Sequence, residues 1–212
     1  MTTPQEKFWQ SDFGSEYTQR NFLLPSDLDA LYVQKYGISR TDMNKEFLGK
    51  LRIKKILEVG ANMGAQLLVL QTMGYTDLHG IEINEDAIVL SKKAAPGITM
   101  NRGSAFAIPA TDASFDLVFT SGVLIHISPD TVKDAMREIH RTSRKYIWGF
   151  EYFSEAYVTI PYRGHADRLW KANFSQIYLD LFPDVTLVRE VRYKYLKENN
   201  EDAMFLLQKN EP

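Results

Sequence analysis

Apolar and polar positions along the middle of the chain follow two alternating periods. Residues 54–60, "KKILEVG", form a short apolar run ending in glycine, and this pattern predicts a strand. Residues 65–73 carry apolar positions dense enough for a buried helix, so the junction reads as strand, turn and helix. The pattern then repeats. "LHGIEIN" at 78–84 predicts a second strand, and "EDAIVLSKKA" a helix opened by acids and closed by lysines, as the helix dipole favours. A short third strand is expected near "ITMNRGS", and "FDLVFTSGVLIHI" supplies a fourth that ends near Gly122. Within 130–144, Val132, Ala135, Met136 and Ile139 share one helical face, with Ser128 as the expected cap and Pro129 in the first turn. "KYIWGFEYF" makes a fifth strand. Two late strands, at 185–193 and 203–209, are joined by the polar stretch "KENNED", short enough for a hairpin.

Strands alternating with helices imply a mainly parallel α/β sheet with right-handed crossovers and helices on both faces. The closing hairpin adds an antiparallel strand, for seven strands in all. Ligands in such sheets bind at the carboxyl ends of the strands. Residues 1–50 lie outside the alternation and read as helices, "EKFWQSDFGSEYTQRN" among them. Residues 151–183 mix aromatics, arginine and histidine in a stretch too long for an ordinary connection, and read as an insertion with a task.

Composition narrows the partners. At 212 residues the chain suits one domain with appendages. The 25 basic and 27 acidic side chains nearly cancel, so no overall field points to nucleic acid or an anionic membrane, and a small molecule is the expected partner. The absence of cysteine excludes disulfides, thiolate zinc sites and a cysteine nucleophile. The four histidines, at 79, 126, 140 and 165, are too scattered for a local metal motif. No apolar stretch approaches the ~20 residues of a membrane span, and "MTTPQEKFWQ" lacks a signal-peptide layout. A cytoplasmic protein is expected; its oligomeric state is not readable.

The turn after the first strand carries the chemistry. A pyrophosphate-binding loop reads G-x-G-x-x-G, whereas here Gly60-Ala61-Asn62-Met63-Gly64 follows an acid, Glu58. An acid there repels pyrophosphate and suits an ammonium or sulfonium, both of which S-adenosylmethionine carries. The sequence resembles class I S-adenosylmethionine-dependent methyltransferases, whose acidic-x-Gly-x-Gly-x-Gly turn is matched by Glu58, Gly60 and Gly64, with Asn62 departing at the middle glycine. Asn tolerates left-handed backbone, and its side chain is a further candidate contact. The resemblance places Glu82, with neighbouring Ile83, at the ribose hydroxyls. It places Ser104 and Ala105 along the adenine, through backbone groups because the usual Asp is absent, and Ser121 at the end of the fourth strand facing cofactor and acceptor. These matches span residues 56–141. "FWQSDFGSEYTQRN" and "YRGHADRLWKANF" further resemble flanking stretches of a group of methylases associated with pseudaminic acid and related surface-sugar biosynthesis. The fold implied is Rossmann-like, with a helical N-terminal lid.

On that resemblance, Tyr17, Arg20 and Asn21 are expected to close over the cofactor, with Arg20 on its carboxylate. His126 is either a packing residue or a substrate contact and base; His165 is the second candidate base, and His79 and His140 read as structural. Glu151 and Tyr152 are candidate orienters of the acceptor. Tyr162, Arg163, His165, Arg168, Trp170 and Lys171 either form a solvated helix with an aromatic stripe or include residues that bind a polar acceptor, Tyr162, Arg163 and Arg168 foremost, the arginines suiting a carboxylate or phosphate. Phe8, Trp9 and Phe13 read as packing residues. No metal constellation is present, which argues against a magnesium-dependent catechol type. The expected reaction is methyl transfer to a small polar acceptor, sugar- or amino-acid-like. Transfer or cyclisation of the cofactor's aminoalkyl arm, and a non-catalytic binding role, stay open alternatives.

Overall fold

The computed structural model describes residues 2–210. Four helices come first: α1 (Pro4–Gln10), α2 (Asp12–Asn21), α3 (Pro25–Tyr36) and α4 (Arg40–Leu48). The stretch "EKFWQSDFGSEYTQRN" is divided at Ser11, whose backbone is extended. Its hydroxyl caps α2 by accepting from Phe13 N at 3.3 Å, the usual way a serine opens a helix. Thr3 and Glu6 cap α1 reciprocally.

The alternating core follows: β1 (Lys55–Val59), α5 (Ala65–Thr72), β2 (Asp77–Glu82), α6 (Glu85–Ala94), β3 (Thr99–Arg102), β4 (Phe115–Ser121), a 3-10 turn (Leu124–His126), α7 (Val132–Thr142) and β5 (Ser143–Tyr152). A two-stranded ribbon, β6 (Val158–Thr159) and β7 (Trp170–Lys171), and α8 (Phe174–Leu181) lead to β8 (Val185–Lys194) and β9 (Glu201–Lys209). The seven-stranded sheet runs β3-β2-β1-β4-β5-β9-β8. β9 is the one antiparallel strand. It enters between β5 and β8, so β8 and not the last strand forms the edge.

α7 buries Val132, Ala135, Met136 and Ile139, as its periodicity predicts. Its start is later than expected, however: Thr131 occupies the cap position without a side-chain bond. The Ser128 carbonyl accepts instead from Thr131 N and Val132 N, so Ser128 and Pro129 shape the approach to the helix and stand outside it. One face of the sheet packs on α3, α4 and α5 through Leu28, Met43, Phe47, Leu67 and Leu70. The other packs on α7 and α8. Of the four N-terminal helices, α3 and α4 are thus part of the core, whereas α1 and α2 lie across the carboxyl ends of β1, β2 and β4. No helix among the described residues is long and apolar enough to cross a membrane.

Candidate active site

A cavity of about 230 Å³ opens at the carboxyl ends of β1, β2 and β4 beneath α1 and α2. The β1 turn forms its floor. Gly60 has φ of 73°, and an added Cβ would lie 2.7 Å from Val123 Cγ2, so glycine alone fits both the backbone and the close approach. Gly64, at φ 84°, opens α5 and would crowd Ala95 if substituted; it shapes the turn from behind and does not line the cavity. Asn62 takes the left-handed conformation at φ 49°. Its Oδ1 accepts from Met63 N, and its Nδ2 donates to Thr18 Oγ1 at 3.1 Å. The departure from glycine therefore ties the floor to α2.

Asn62→Gly should keep the turn and lose this tie. A single hydrogen bond contributes about 1 kcal/mol, so titration calorimetry with S-adenosylhomocysteine is expected to show affinity three- to tenfold weaker, and Thr18→Val should match it. Unchanged affinity in both would confine Asn62 to shaping the turn.

Besides Glu6 on α1, two acids at the strand ends line the cavity with different surroundings. Glu82 Oε2 accepts from Asn62 N at 2.8 Å, and its Oε1 from Ile83 N and Asn84 N at 2.7 and 2.9 Å. Burial raises its pKa, and these three backbone donors work against that rise. Both oxygens are fixed at the cavity wall with acceptor capacity to spare, an arrangement that fits a vicinal diol. Glu58 is 2 % exposed, and its Oε2 has no hydrogen-bond partner. Burial pushes its pKa well up, with the Arg40 cation opposing. Gln66 Oε1, also at the cavity, is buried and unpartnered too. Orphaned acceptors of this kind are costly unless a donor reaches them, and the ammonium group of S-adenosylmethionine is such a donor. The residues present therefore fit that cofactor.

Arg40 is the residue that the sequence reading missed. Fully buried on α4, it donates from Nε to Asn44 Oδ1 at 2.9 Å and from Nη1 to Tyr32 Oη and Ser121 Oγ at 3.2 and 3.4 Å. Its guanidinium lies 4.8–5.5 Å from the rings of Tyr32, Trp148 and Phe150. No carboxylate among the described residues comes within ion-pair distance, and Nη2 has no partner. A buried cation thus stands directly behind Ser121, which lines the cavity. Arg20, expected to hold a carboxylate, points outward and pairs with Glu16 at 3.2 Å, because its position on α2 is on the solvent side. Tyr17, one turn before Asn21, does line the cavity, and burial raises its pKa to about 12. The Asn21 amide donates back to the Tyr17 carbonyl.

At the adenine end of the resemblance, Ile83, Ser104 and Ala105 line the wall. The Ser104 hydroxyl is engaged, donating to Glu6 Oε1 at 2.6 Å and accepting from Phe106 N at 3.1 Å; this clips α1 to the loop after β3. Trp9, read as a packing residue, lines the cavity as well.

His126 closes the far wall. Its Nδ1 lies 2.7 Å from the Arg168 carbonyl oxygen, which accepts only if Nδ1 carries the proton, so Nε2 of the neutral ring keeps its lone pair. Burial lowers its pKa from 6.5 to about 4, and the Arg168 carbonyl opposes the shift. Trp9 and Tyr162 pack on the ring at centroid distances of 4.8 and 5.1 Å.

The other candidates lie outside the cavity. Glu151 is buried beneath the 3-10 turn, accepting from Val123 N and Ile125 N at 3.2 and 3.4 Å. Its pKa rises to about 7 because it is desolvated; it holds the turn that carries His126 and does not reach an acceptor. Tyr152, its pKa raised to about 12 chiefly by burial, turns toward Lys35, whose ammonium lies 5.7 Å from its ring. Tyr162 and His165 exchange backbone hydrogen bonds across Arg163 and Gly164, both at positive φ. This tight turn carries Arg163 and His165 to the exposed outside, where the His165 ring packs on Phe8 at 5.0 Å. The Arg168 guanidinium pairs with Asp167 and covers Phe8; only its carbonyl reaches the site, through His126. His79 and His140 pair with Asp77 and Asp184, both remote from the cavity.

Residues 56–145 match the family model described as a methyltransferase domain. The phosphoethanolamine N-methyltransferase of Plasmodium falciparum (isolate 3D7) is 20% identical over 200 residues, covering 82% of this chain and 74% of its own. The structure of Burkholderia thailandensis 1,6-didemethyltoxoflavin-N1-methyltransferase, which holds 1,6-didemethyltoxoflavin and S-adenosylhomocysteine, superposes with a TM-score of 0.71 at 18% identity, covering 100% of this chain and 92% of that one. The [4+2]-cyclase SpnF shares the fold at a TM-score of 0.63 and 13% identity, over 81% of each chain. Residues 56–145 thus carry a methyltransferase domain, for which S-adenosylmethionine is the indicated cofactor, and the chain has the seven-stranded Rossmann-like fold of the methyltransferase structures it superposes on.

Proposed function

We propose that this methyltransferase acts on a small polar molecule, sugar- or amino-acid-like, bound between the cofactor, Trp9 and His126. The observation that carries this reading is His126: a neutral imidazole held through Nδ1, leaving Nε2 as the single strong acceptor on the far wall of the cavity. When bound, the cofactor supplies an electrophilic methyl group on sulfur. Glu82 holds the ribose hydroxyls, Glu58 and Gln66 the ammonium, and the positive charge of Arg40 behind Ser121 complements the carboxylate. His126 Nε2 accepts a hydrogen bond from the acceptor's nucleophilic group, orients it and takes its proton. Because the ring is a weak base, it gives that proton up to bulk water when the covered site reopens and does not store it. Tyr17 and Trp9, on helices clipped down by Ser104 and Asn62, cover the cavity. Exclusion of water and alignment of two reactants account for much of the barrier lowering in a transfer of this kind. The resemblance to pseudaminic acid-associated methylases supports a surface-sugar precursor as one acceptor of this description.

Incubation with S-adenosylmethionine and a pooled extract of polar metabolites, followed by mass spectrometry, tests the reading. S-adenosylhomocysteine together with an acceptor heavier by one methylene is the expected result. Methylthioadenosine as the cofactor product would overturn it in favour of aminoalkyl chemistry, and binding of S-adenosylmethionine without turnover of any acceptor would leave only the binding role.

A further inference from the structure

We infer that Gln5, on α1, recognises the adenine of the cofactor. Its amide oxygen accepts from the exocyclic amino group, and its amide nitrogen donates to a ring nitrogen beside that group. This rests on S-adenosylmethionine as the cofactor and is independent of which acceptor is methylated.

Gln5 lines the cavity and is only 9 % exposed. The polar side chains around it are already engaged. Glu6 accepts from Thr3 N through Oε2 and from the Ser104 hydroxyl through Oε1, both at 2.6 Å. Ser104 Oγ also accepts from Phe106 N. Asn84 donates to the Trp9 carbonyl and to Ser15 Oγ, and its Oδ1 accepts from Ala87 N. The Gln5 amide, by contrast, makes no hydrogen bond to another described residue, although it carries both a donor and an acceptor. A cofactor filling the cavity displaces the little water that reaches this amide, and a buried polar group left without a partner is costly. The ligand must therefore supply both partners.

Adenine is the part of the cofactor that can. The ribose is assigned to Glu82 and the amino-acid end to Glu58, Gln66 and Arg40, which leaves the base. Its amino group stands beside a ring nitrogen, a donor next to an acceptor, and a glutamine amide matches that edge with two hydrogen bonds.

The placement of α1 agrees. The bond from Ser104 to Glu6 fixes the start of the helix against the loop after β3, which the resemblance places along the adenine, and Gln5 is the adjoining residue. Trp9 lies on the same helical face one turn on, about 6 Å along the axis, where it packs on His126 at a centroid distance of 4.8 Å. The helix thus runs from the adenine end of the cavity to the acceptor end. Ser104 spends its hydroxyl on holding α1, and the helix so held brings in the amide that reads the base.

Titration calorimetry tests this with S-adenosylhomocysteine and its purine-riboside analogue, in which hydrogen replaces the adenine amino group. The natural protein should prefer S-adenosylhomocysteine at least thirtyfold, because the analogue strands a buried acceptor. Gln5→Leu should cut that preference about tenfold by weakening S-adenosylhomocysteine, while the analogue binds within threefold of its affinity for the natural protein. Gln5→Glu keeps an acceptor and should keep most of the preference. Equal weakening of both ligands in Gln5→Leu would show that the residue only seats the helix, and would overturn the inference; so would a natural protein that binds the two ligands alike. A natural protein that binds neither S-adenosylmethionine nor S-adenosylhomocysteine would instead refute the cofactor itself.

Discussion

Arg40→Ala should destabilise the fold by about 3–5 kcal/mol, as is typical when one member of a buried polar network is removed. The side chain is fully buried, joins Asn44, Tyr32 and Ser121 by hydrogen bonds, and lies on three aromatic rings. Truncation strands those polar partners, opens a cavity beside Trp148, and withdraws the cation that opposes the burial of Glu58. Urea denaturation measures the loss. Arg40→Met separates packing from charge. Its volume fills the space, so most of the stability should return, while affinity for S-adenosylhomocysteine should stay about tenfold below that of the natural protein. A methionine variant that binds as well as the natural protein would show that the buried charge serves the fold and not the cofactor.

His126→Ala is expected to lower kcat/KM on the order of 100-fold, toward the low end of what a positioned proton acceptor contributes, while S-adenosylhomocysteine affinity changes less than threefold. His126→Gln, whose amide oxygen can accept where Nε2 does, should recover part of the orientation and none of the proton transfer. The pH dependence carries an independent mark. The ring's pKa falls from 6.5 in the unfolded chain to about 4 in the fold, so its contribution to stability is complete above pH 6.5 and is lost as pH falls from there through about 4. The alanine variant should lack this segment of the acid-denaturation curve. A natural protein whose activity drops with an ordinary histidine pKa would contradict the buried, neutral ring. Glu151 makes the placement of His126 dependent on the interior: it accepts from Val123 N and Ile125 N and so holds the 3-10 turn on which the histidine stands.

The parts of the site that were legible in the chain are those written by local chemistry. Gly60 and Gly64 announce positive φ, Glu58 before them argues for a cationic ligand, and Glu82 stands one strand later, where the resemblance expects a diol; the three backbone donors on Glu82 come from residues that the turn and strand end bring close. The residues whose place was not legible owe it to distant contacts. Arg20 and Arg40 are two arginines of the same helical region, and no periodicity says which is buried; the answer is a contact between Arg40 and Ser121 across 81 positions. Trp9 reads as a packing residue because its helical spacing is apolar, and only the docking of α1 against the loop after β3 through Ser104 makes it a cavity wall. Arg163 and His165 look like site residues by type, yet the turn between Tyr162 and His165 carries them outward.

The sequence alone determined the alternation of strand, turn and helix, the closing hairpin, and the acidic glycine turn on which the resemblance to S-adenosylmethionine-dependent methyltransferases rests. These follow from periods of two and 3.6 residues and from the conformational freedom of glycine, which act over a few neighbours. Only the tertiary structure decided that β9 enters between β5 and β8, that Arg40 is the buried cation, that Glu151 supports the turn while His126 lines the cavity, and that the cavity wall is aromatic and acidic. Each of these depends on which distant surfaces meet when the core closes, and packing chooses among side chains that the chain itself presents as equivalent.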